Sequence, residues 1–142
     1  MYCLWIHLSG NKPEFIEAAK ELGRVIAKRN MQLVYGGDNL ELMGSISKAV
    51  QDSGGHVLGI IPKLLADDKL IGPTNGDERI VSSMPEQIQE MINTVDVFIA
   101  LPGGLGKFEE IFTVASWALM SGNYITISHS FNLIFCIVSC VL

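Results

Sequence analysis

The sequence predicts an α/β domain in three layers, a parallel sheet with helices on both faces. Two observations predict it. Short apolar runs of strand length alternate in regular order with stretches whose apolar residues recur at helical spacing. The runs end in turn residues, and two of them end in a Gly-Gly pair followed by a helix, at Gly36-Gly37 and Gly103-Gly104. At 142 residues the chain fits a single domain, 1–142. A domain of that size buries enough surface to need no disulfide or metal.

The elements follow in order. Residues 2–8 read as a strand. Asn11-Lys12-Pro13-Glu14 reads as a helix start, with proline early and an acid in the first turn. Phe15, Ala18, Ala19, Leu22, Val25 and Ile26 then recur at helical spacing and form one buried face. Asn30 stops this helix, since Asn tolerates the left-handed conformation. Residues 32–35 form a short strand running into Gly36-Gly37. A helix over 40–52 turns Leu42, Met43, Ile46, Ala49 and Val50 inward, and Ser53-Gly54-Gly55 ends it. Residues 56–61 are the next strand, ended by Pro62. The polar stretch 63–78, broken by Gly72, Pro73 and Gly76, reads as mostly loop. A short strand follows at 79–82, then a helix over 84–94 with Met84, Ile88, Met91 and Ile92 on one side. Residues 95–101 form the most apolar strand, ended by Pro102-Gly103-Gly104. A last helix covers 106–120, and 125–127 forms one more short strand. Met31, Met43, Met84, Met91 and Met120 all fall at core positions.

Composition narrows the function classes. Apolar residues make up 49% and charged residues 18%, which excludes a disordered chain. A net charge of −5 argues against general binding to nucleic acid or acidic membranes. A phosphate site built from backbone N–H groups stays open, because those carry no formal charge. Cys3, Cys136 and Cys140 have no zinc spacing, no CxxC occurs, and no cofactor or metal is expected. They read as reduced, buried thiols of an intracellular protein. The location expected is the cytoplasm, with the nucleus as a second one. No leader is read at the N-terminus, and the apolar residues 131–142 are too few to span a bilayer, which takes about 20.

The chemistry belongs beyond the carboxyl ends of the strands, where open α/β sheets bind ligands. Both Gly-Gly turns lie there. The sharper signal is Pro102-Gly103-Gly104-Leu105-Gly106, a glycine turn feeding a helix whose N–H groups favour a phosphate. Glu109 and Glu110 sit in its first turn. The segment is neither a Walker A motif nor GxGxxG. By spacing alone, a tight turn whose acids only complement the helix dipole is equally open.

Residues 102–110, Pro-Gly-Gly-Leu-Gly-Lys-Phe-Glu-Glu, resemble the PGGxGTxxE motif of the LONELY GUY family, the cytokinin riboside 5′-monophosphate phosphoribohydrolases, also known as lysine decarboxylase-like proteins. Further segments agree: Ser9-Gly10-Asn11-Lys12-Pro13, Leu33-Val34-Tyr35-Gly36-Gly37, Leu42-Met43-Gly44, residues 56–63, residues 96–101 and Trp117-Ala118. The resemblance covers about residues 9–119 and is nearest to the plant members. It implies a Rossmann-like fold, a homodimer with its site near the subunit interface, and hydrolysis of an N-glycosidic bond to free base and ribose 5-phosphate. It makes Glu110 the catalytic glutamate. It places Gly104 to Glu110 (Gly104, Leu105, Gly106, Lys107, Phe108, Glu109 and Glu110) around phosphate and ribose, with Gly103, Gly36, Gly37, Met43 and Ser116 also on the substrate.

The departures fall on functional positions. Met84-Pro85-Glu86-Gln87-Ile88 aligns with the family's MHxRK segment, so Gln87 takes the place of the catalytic arginine and Ile88 that of the neighbouring lysine. Glutamine donates through its amide but has neither the charge nor the bidentate fork, and loss of a transition-state donor costs ~10²–10³ in rate. Lys107 replaces the motif threonine, and Lys69 stands where the family has a substrate-contacting glutamate. His7 ends the first strand as a structural residue. Asp67-Asp68 and Glu86/Glu90 read as solvated faces. After Met120 the match stops, and 121–142 reads as the divergent ending of a truncated relative, either a substitute strand or an exposed apolar patch. A second reading is therefore a catalytically impaired nucleotide-binding or dimerising module.

Overall fold

The structure, a computed structural model, describes residues 2–3, 13–67, 72–99, 113, 116, 120, 124–130 and 133–139. Strand β1 (Tyr2–Cys3) pairs with β2 (Gln32–Tyr35), β2 with β3 (Val57–Pro62), and β3 with β4 (Asp77–Val81). All three pairings are parallel, so the described sheet runs β1-β2-β3-β4. Parallel neighbours need crossovers. Helix α1 (Pro13–Lys28) carries the first, α2 (Glu41–Asp52) the second, and the short α3 (Lys63–Asp67) begins the third. Helix α4 (Met84–Thr94) follows β4.

Strand alternation divides the core between two faces. Leu33, Tyr35 and Val57 join Ala19, Ile26, Leu42, Met43, Ile46 and Val50 in one cluster, beneath α1 and α2. Val34, Ile60 and Val81 join Met91, Val95 and Phe98 in the other, beneath α4. The sheet is thus covered on both faces, as predicted. Burial of each large aliphatic side chain contributes about 1.5–3 kcal/mol.

Several expectations need correction. Val25 was expected inward but is 37% exposed. The cause is Gly23: a Cβ there would lie 2.8 Å from the Ala49 Cβ, so the helices touch at this glycine. The buried stripe of α1 is therefore Ala19, Gly23, Ile26 and Ala27, which turns Val25 outward. Met84 is 48% exposed and Met120 88% exposed, whereas Met43 and Met91 are buried. Gln87 and Met91, four residues apart on one face, supply the buried positions of α4, and Met84 precedes them as the first residue of the helix. The stretch 63–78 contains α3 and the start of β4, and Pro62 closes β3 from inside the strand. Of the predicted strand at 95–101, Val97 is the residue in a strand pairing among the described 95–99; Val97 and Ile99 pack toward one cluster and Val95 and Phe98 lie in the other. Residues 4–8 and 100–101, which complete the predicted first and fifth strands, lie outside the described residues.

Near the carboxyl end of the chain, β5 (Tyr124–Ser130) and β6 (Leu133–Ser139) form an antiparallel hairpin, from Tyr124↔Ser139 to Ser130↔Leu133. The predicted strand at 125–127 is the middle of β5. Among the described residues these strands pair with each other. Thr113, Ser116 and Met120 are helical, within the predicted last helix.

A half-buried polar network ties the loop at 72–76 to the sheet. The Tyr35 hydroxyl donates to the Asn75 carbonyl (3.2 Å) and accepts from the Asn75 N–H (2.9 Å). The Asn75 side-chain amide donates to Asn39 Oδ1 (2.8 Å) and Ser47 Oγ (2.9 Å). Ser47 in turn donates to the Met43 carbonyl at 2.7 Å. Burial pushes the Tyr35 phenol above its ordinary value, against the opposing effect of the Asn75 and Ser47 hydrogen bonds. Tyr35→Phe leaves both Asn75 main-chain groups without this partner. It is expected to lower stability by about 1–3 kcal/mol, read from the urea midpoint.

Candidate functional site

Strand β2 ends in Gly36-Gly37 at the carboxyl edge of the sheet. Gly37 sits at φ +83, a conformation side-chain-bearing residues rarely adopt. A Cβ there would lie 2.3 Å from Ile61 Cγ1, so the end of β3 presses directly on this turn. The loop at 72–76 holds it from above, with Thr74 Oγ1 donating to the Gly37 carbonyl at 3.4 Å.

Gly36 is different. Its φ lies outside the positive region, and an added Cβ would meet Met43 Cε and Gln87 Nε2 at 3.5 Å each, ordinary contact distances. Three residues singled out in the sequence therefore converge: Gly36 from the turn, Met43 from the first turn of α2, and Gln87 from α4. Met43 and Gln87 are each 7% exposed. The Gln87 side-chain amide donates to the Ile60 carbonyl at 2.6 Å.

Helix α4 is well set for this placement. Ser83 caps it, accepting from the Glu86 N–H at 3.3 Å, and Pro85 occupies its first turn. Glu86 reaches back to the N–H of Ser82 (2.7 Å) and to the Ser82 hydroxyl, and these bonds hold its carboxyl below the ordinary value. Ile88 is half-buried on the same helix, and Ser116 is helical and exposed. Lys69, Gly103, Gly104, Leu105, Gly106, Lys107, Phe108, Glu109 and Glu110 lie outside the described residues, as do His7, Asp68 and residues 117–118.

The structure adds Asn39, Ser47 and Asn75 to the surroundings of the turn. The sequence held one sign of them: Asn75-Gly76, a turn pair directly before β4, with Gly76 at φ +85. A separate groove of about 550 Å³ runs along α1 and α2 and includes Lys20, Arg24, Lys48 and Asp52. Its three cations pair with Glu17, Glu21 and Asp52. Among the described residues no three His, Cys, Asp or Glu side chains converge, and no helix is long and apolar enough to cross a membrane.

Comparison with known proteins adds the following. A family model described as possible lysine decarboxylase matches residues 43–127. The cytokinin riboside 5′-monophosphate phosphoribohydrolase LOG2 of Arabidopsis thaliana is 49% identical over 110 residues, 78% of this chain and 52% of that protein. The probable cytokinin riboside 5′-monophosphate phosphoribohydrolase LOG4 of Oryza sativa subsp. japonica is 46% identical over 109 residues, 77% of this chain and 47% of that protein. The chain thus spans about half the length of the curated relatives it matches. The solved molybdenum cofactor binding protein of Rippkaea orientalis shares the fold, with TM-score 0.66 and 20% identity over 85% of this chain and 71% of that one.

Proposed function

Because the chain belongs to the possible lysine decarboxylase family, and within it to the LONELY GUY group, we propose that it hydrolyses the N-glycosidic bond of a cytokinin riboside 5′-monophosphate. The convergence of Gly36, Met43 and Gln87 at the carboxyl ends of β2 and β3 carries this reading, since α/β sheets bind ligands at that edge. In the reaction the bond from C1′ to the base nitrogen breaks, water oxygen bonds to C1′, and a proton goes to the departing base. Positive charge builds on the sugar as in an oxocarbenium ion. The Glu110 carboxylate stabilises that charge or orients the water. The glycine turn from Gly103 to Gly106, with Lys107, Phe108 and Glu109, holds ribose and phosphate, and Lys69, Ile88 and Ser116 flank the substrate.

Gln87 occupies the position of the arginine in the resembling motif, and it gives an amide N–H to a main-chain carbonyl. That observation favours the second reading, a nucleotide-binding module of low turnover. Incubation with isopentenyladenosine 5′-monophosphate and with AMP separates the two. Release of free base supports the hydrolase; binding without release supports the module. The pair Gln87→Arg with Lys107→Thr is expected to raise base release at least tenfold. A guanidinium can keep one N–H on Ile60 and still offer others to the substrate, and such a donor is worth ~10²–10³ in rate. No gain counts against this view of the site. A homodimer and a cytoplasmic and nuclear location belong to the same proposal. Sedimentation as a monomer at assay concentration rules out the first, and a fluorescent fusion excluded from both compartments rules out the second.

A further inference from the structure

We propose that Gln87 is a positioning residue: its amide completes the end of the β2–β3 ladder and so fixes the Gly36 turn, and it gives no hydrogen bond to the substrate. This rests on the turn being the nucleotide site, as proposed above. The β2–β3 register runs Leu33↔Val57, Val34↔Leu58 and Tyr35↔Gly59, then stops where β2 turns at Gly36-Gly37. Ile60 is the next residue of β3 and is fully buried. A buried carbonyl beyond the end of a ladder needs a donor from elsewhere. Gln87 Nε2 provides it at 2.6 Å. The same nitrogen stands 3.5 Å from where a Gly36 Cβ would be, at the first position β2 has vacated. The next residue, Ile61, fills the space against Gly37. One side chain from α4 thus sets where the β2–β3 ladder ends and where the glycine turn lies, while β3 runs on to Pro62 beside β4.

Two measurements on the full chain test this. The first follows the glutamine side-chain amides by NMR, with and without saturating AMP. Gln32, Gln51 and Gln89 serve as references. The Gln87 amide protons are expected to exchange at least tenfold more slowly than the other three and to stay in place when AMP binds. Exchange as fast as the references, or transfer of the amide to the nucleotide, overturns the proposal. The second is Gln87→Met. The expected result is a fivefold or larger rise in the AMP dissociation constant and in KM, with kcat within twofold, the sign of lost uniform binding. A tenfold fall in kcat at constant KM would make Gln87 a transition-state donor, and unchanged AMP affinity would make it structural only; either overturns the proposal. If the methionine variant does not fold, the amide measurement on the unaltered chain decides. A chain that binds AMP but releases no base refutes the hydrolase while leaving the amide measurement and the AMP dissociation constants to decide the positioning role. A chain that fails to bind AMP refutes the positioning role as well.

Discussion

Glu110→Gln is expected to reduce base release from isopentenyladenosine 5′-monophosphate by ~10²–10⁴-fold, with a far smaller change in nucleotide affinity. The substitution keeps the size and hydrogen-bonding shape of the side chain and removes one charge. The ground-state nucleotide is neutral at C1′, so its binding owes little to that charge. The transition state is cationic at C1′, and a preorganised carboxylate beside such a cation is worth several powers of ten. Glu110→Ala should behave like the glutamine variant if charge is what matters. If Glu110→Gln keeps more than a tenth of the wild-type rate, the residue is not the catalytic carboxylate. Equal losses in rate and affinity would instead assign it to substrate binding.

How much of this molecule is legible in the sequence depends on how each segment is bounded. Strand β2 and helix α4 lie where the sequence places them, Gln32–Tyr35 and Met84–Thr94. Both are closed by local signals that tertiary structure does not override. Asn30 at φ 53 and the Gly36-Gly37 turn bracket the strand. Ser83, Pro85 and Glu86 start the helix. Strand β4 begins two residues earlier than expected. Asp77 and Glu78 are poor strand formers, and the parallel ladder with β3, Leu58↔Asp77 and Gly59↔Glu78, recruits them. Strand β6 carries the unbroken apolar run Leu133 to Val138, which has no period of two to mark it as a strand. The run 95–99 is legible in its packing. Its apolar residues, divided between the two faces, supply both core clusters, and Val97 is in a strand pairing.

The site divides in the same way. Gly-Gly at the end of an apolar run can be seen in the sequence and placed by rule at the carboxyl edge. Met43 and Gln87 were picked out by resemblance, and the structure brings both within reach of Gly36. What no one-dimensional pattern shows is the partner of Gln87. Ile60 reads as an ordinary core residue, and its need for a donor appears only once the β2–β3 register is known. The Tyr35–Asn75–Asn39–Ser47 network is hidden for the same reason, since its members lie up to 40 residues apart.

Gly37→Ala should be among the most damaging single substitutions in the described chain, and Gly36→Ala beside it among the milder. At Gly37 two costs add. The backbone at φ +83 strains any residue with a Cβ, at roughly 1–2 kcal/mol. The new methyl would stand 2.3 Å from Ile61 Cγ1 and 2.7 Å from Ile61 Cδ1. Ile61 is 1% exposed and paired with Ile80 in the β3–β4 ladder, so it has little room to withdraw. Overpacking of that kind adds about 1–3 kcal/mol, against which the lower entropy of the unfolded alanine chain returns less than about 1. The expected loss is therefore ~2–4 kcal/mol, a large share of the ~5–15 kcal/mol of an ordinary domain, read as a lower urea midpoint at constant slope. At Gly36 neither cost applies, because φ is ordinary and the nearest atoms are at contact distance, so the loss should stay within about 1 kcal/mol. Ile61→Ala separates the two costs at Gly37. In that background Gly37→Ala should lose only the conformational part, and a cycle showing no coupling between the two positions would place the strain elsewhere. A Gly36 methyl would instead occupy space at the ligand edge beside Met43 and Gln87. Gly36→Ala is thus expected to separate folding from binding, leaving the urea midpoint nearly unmoved while AMP affinity falls. Equal affinity in that variant would mean that the nucleotide does not approach the sheet at this turn.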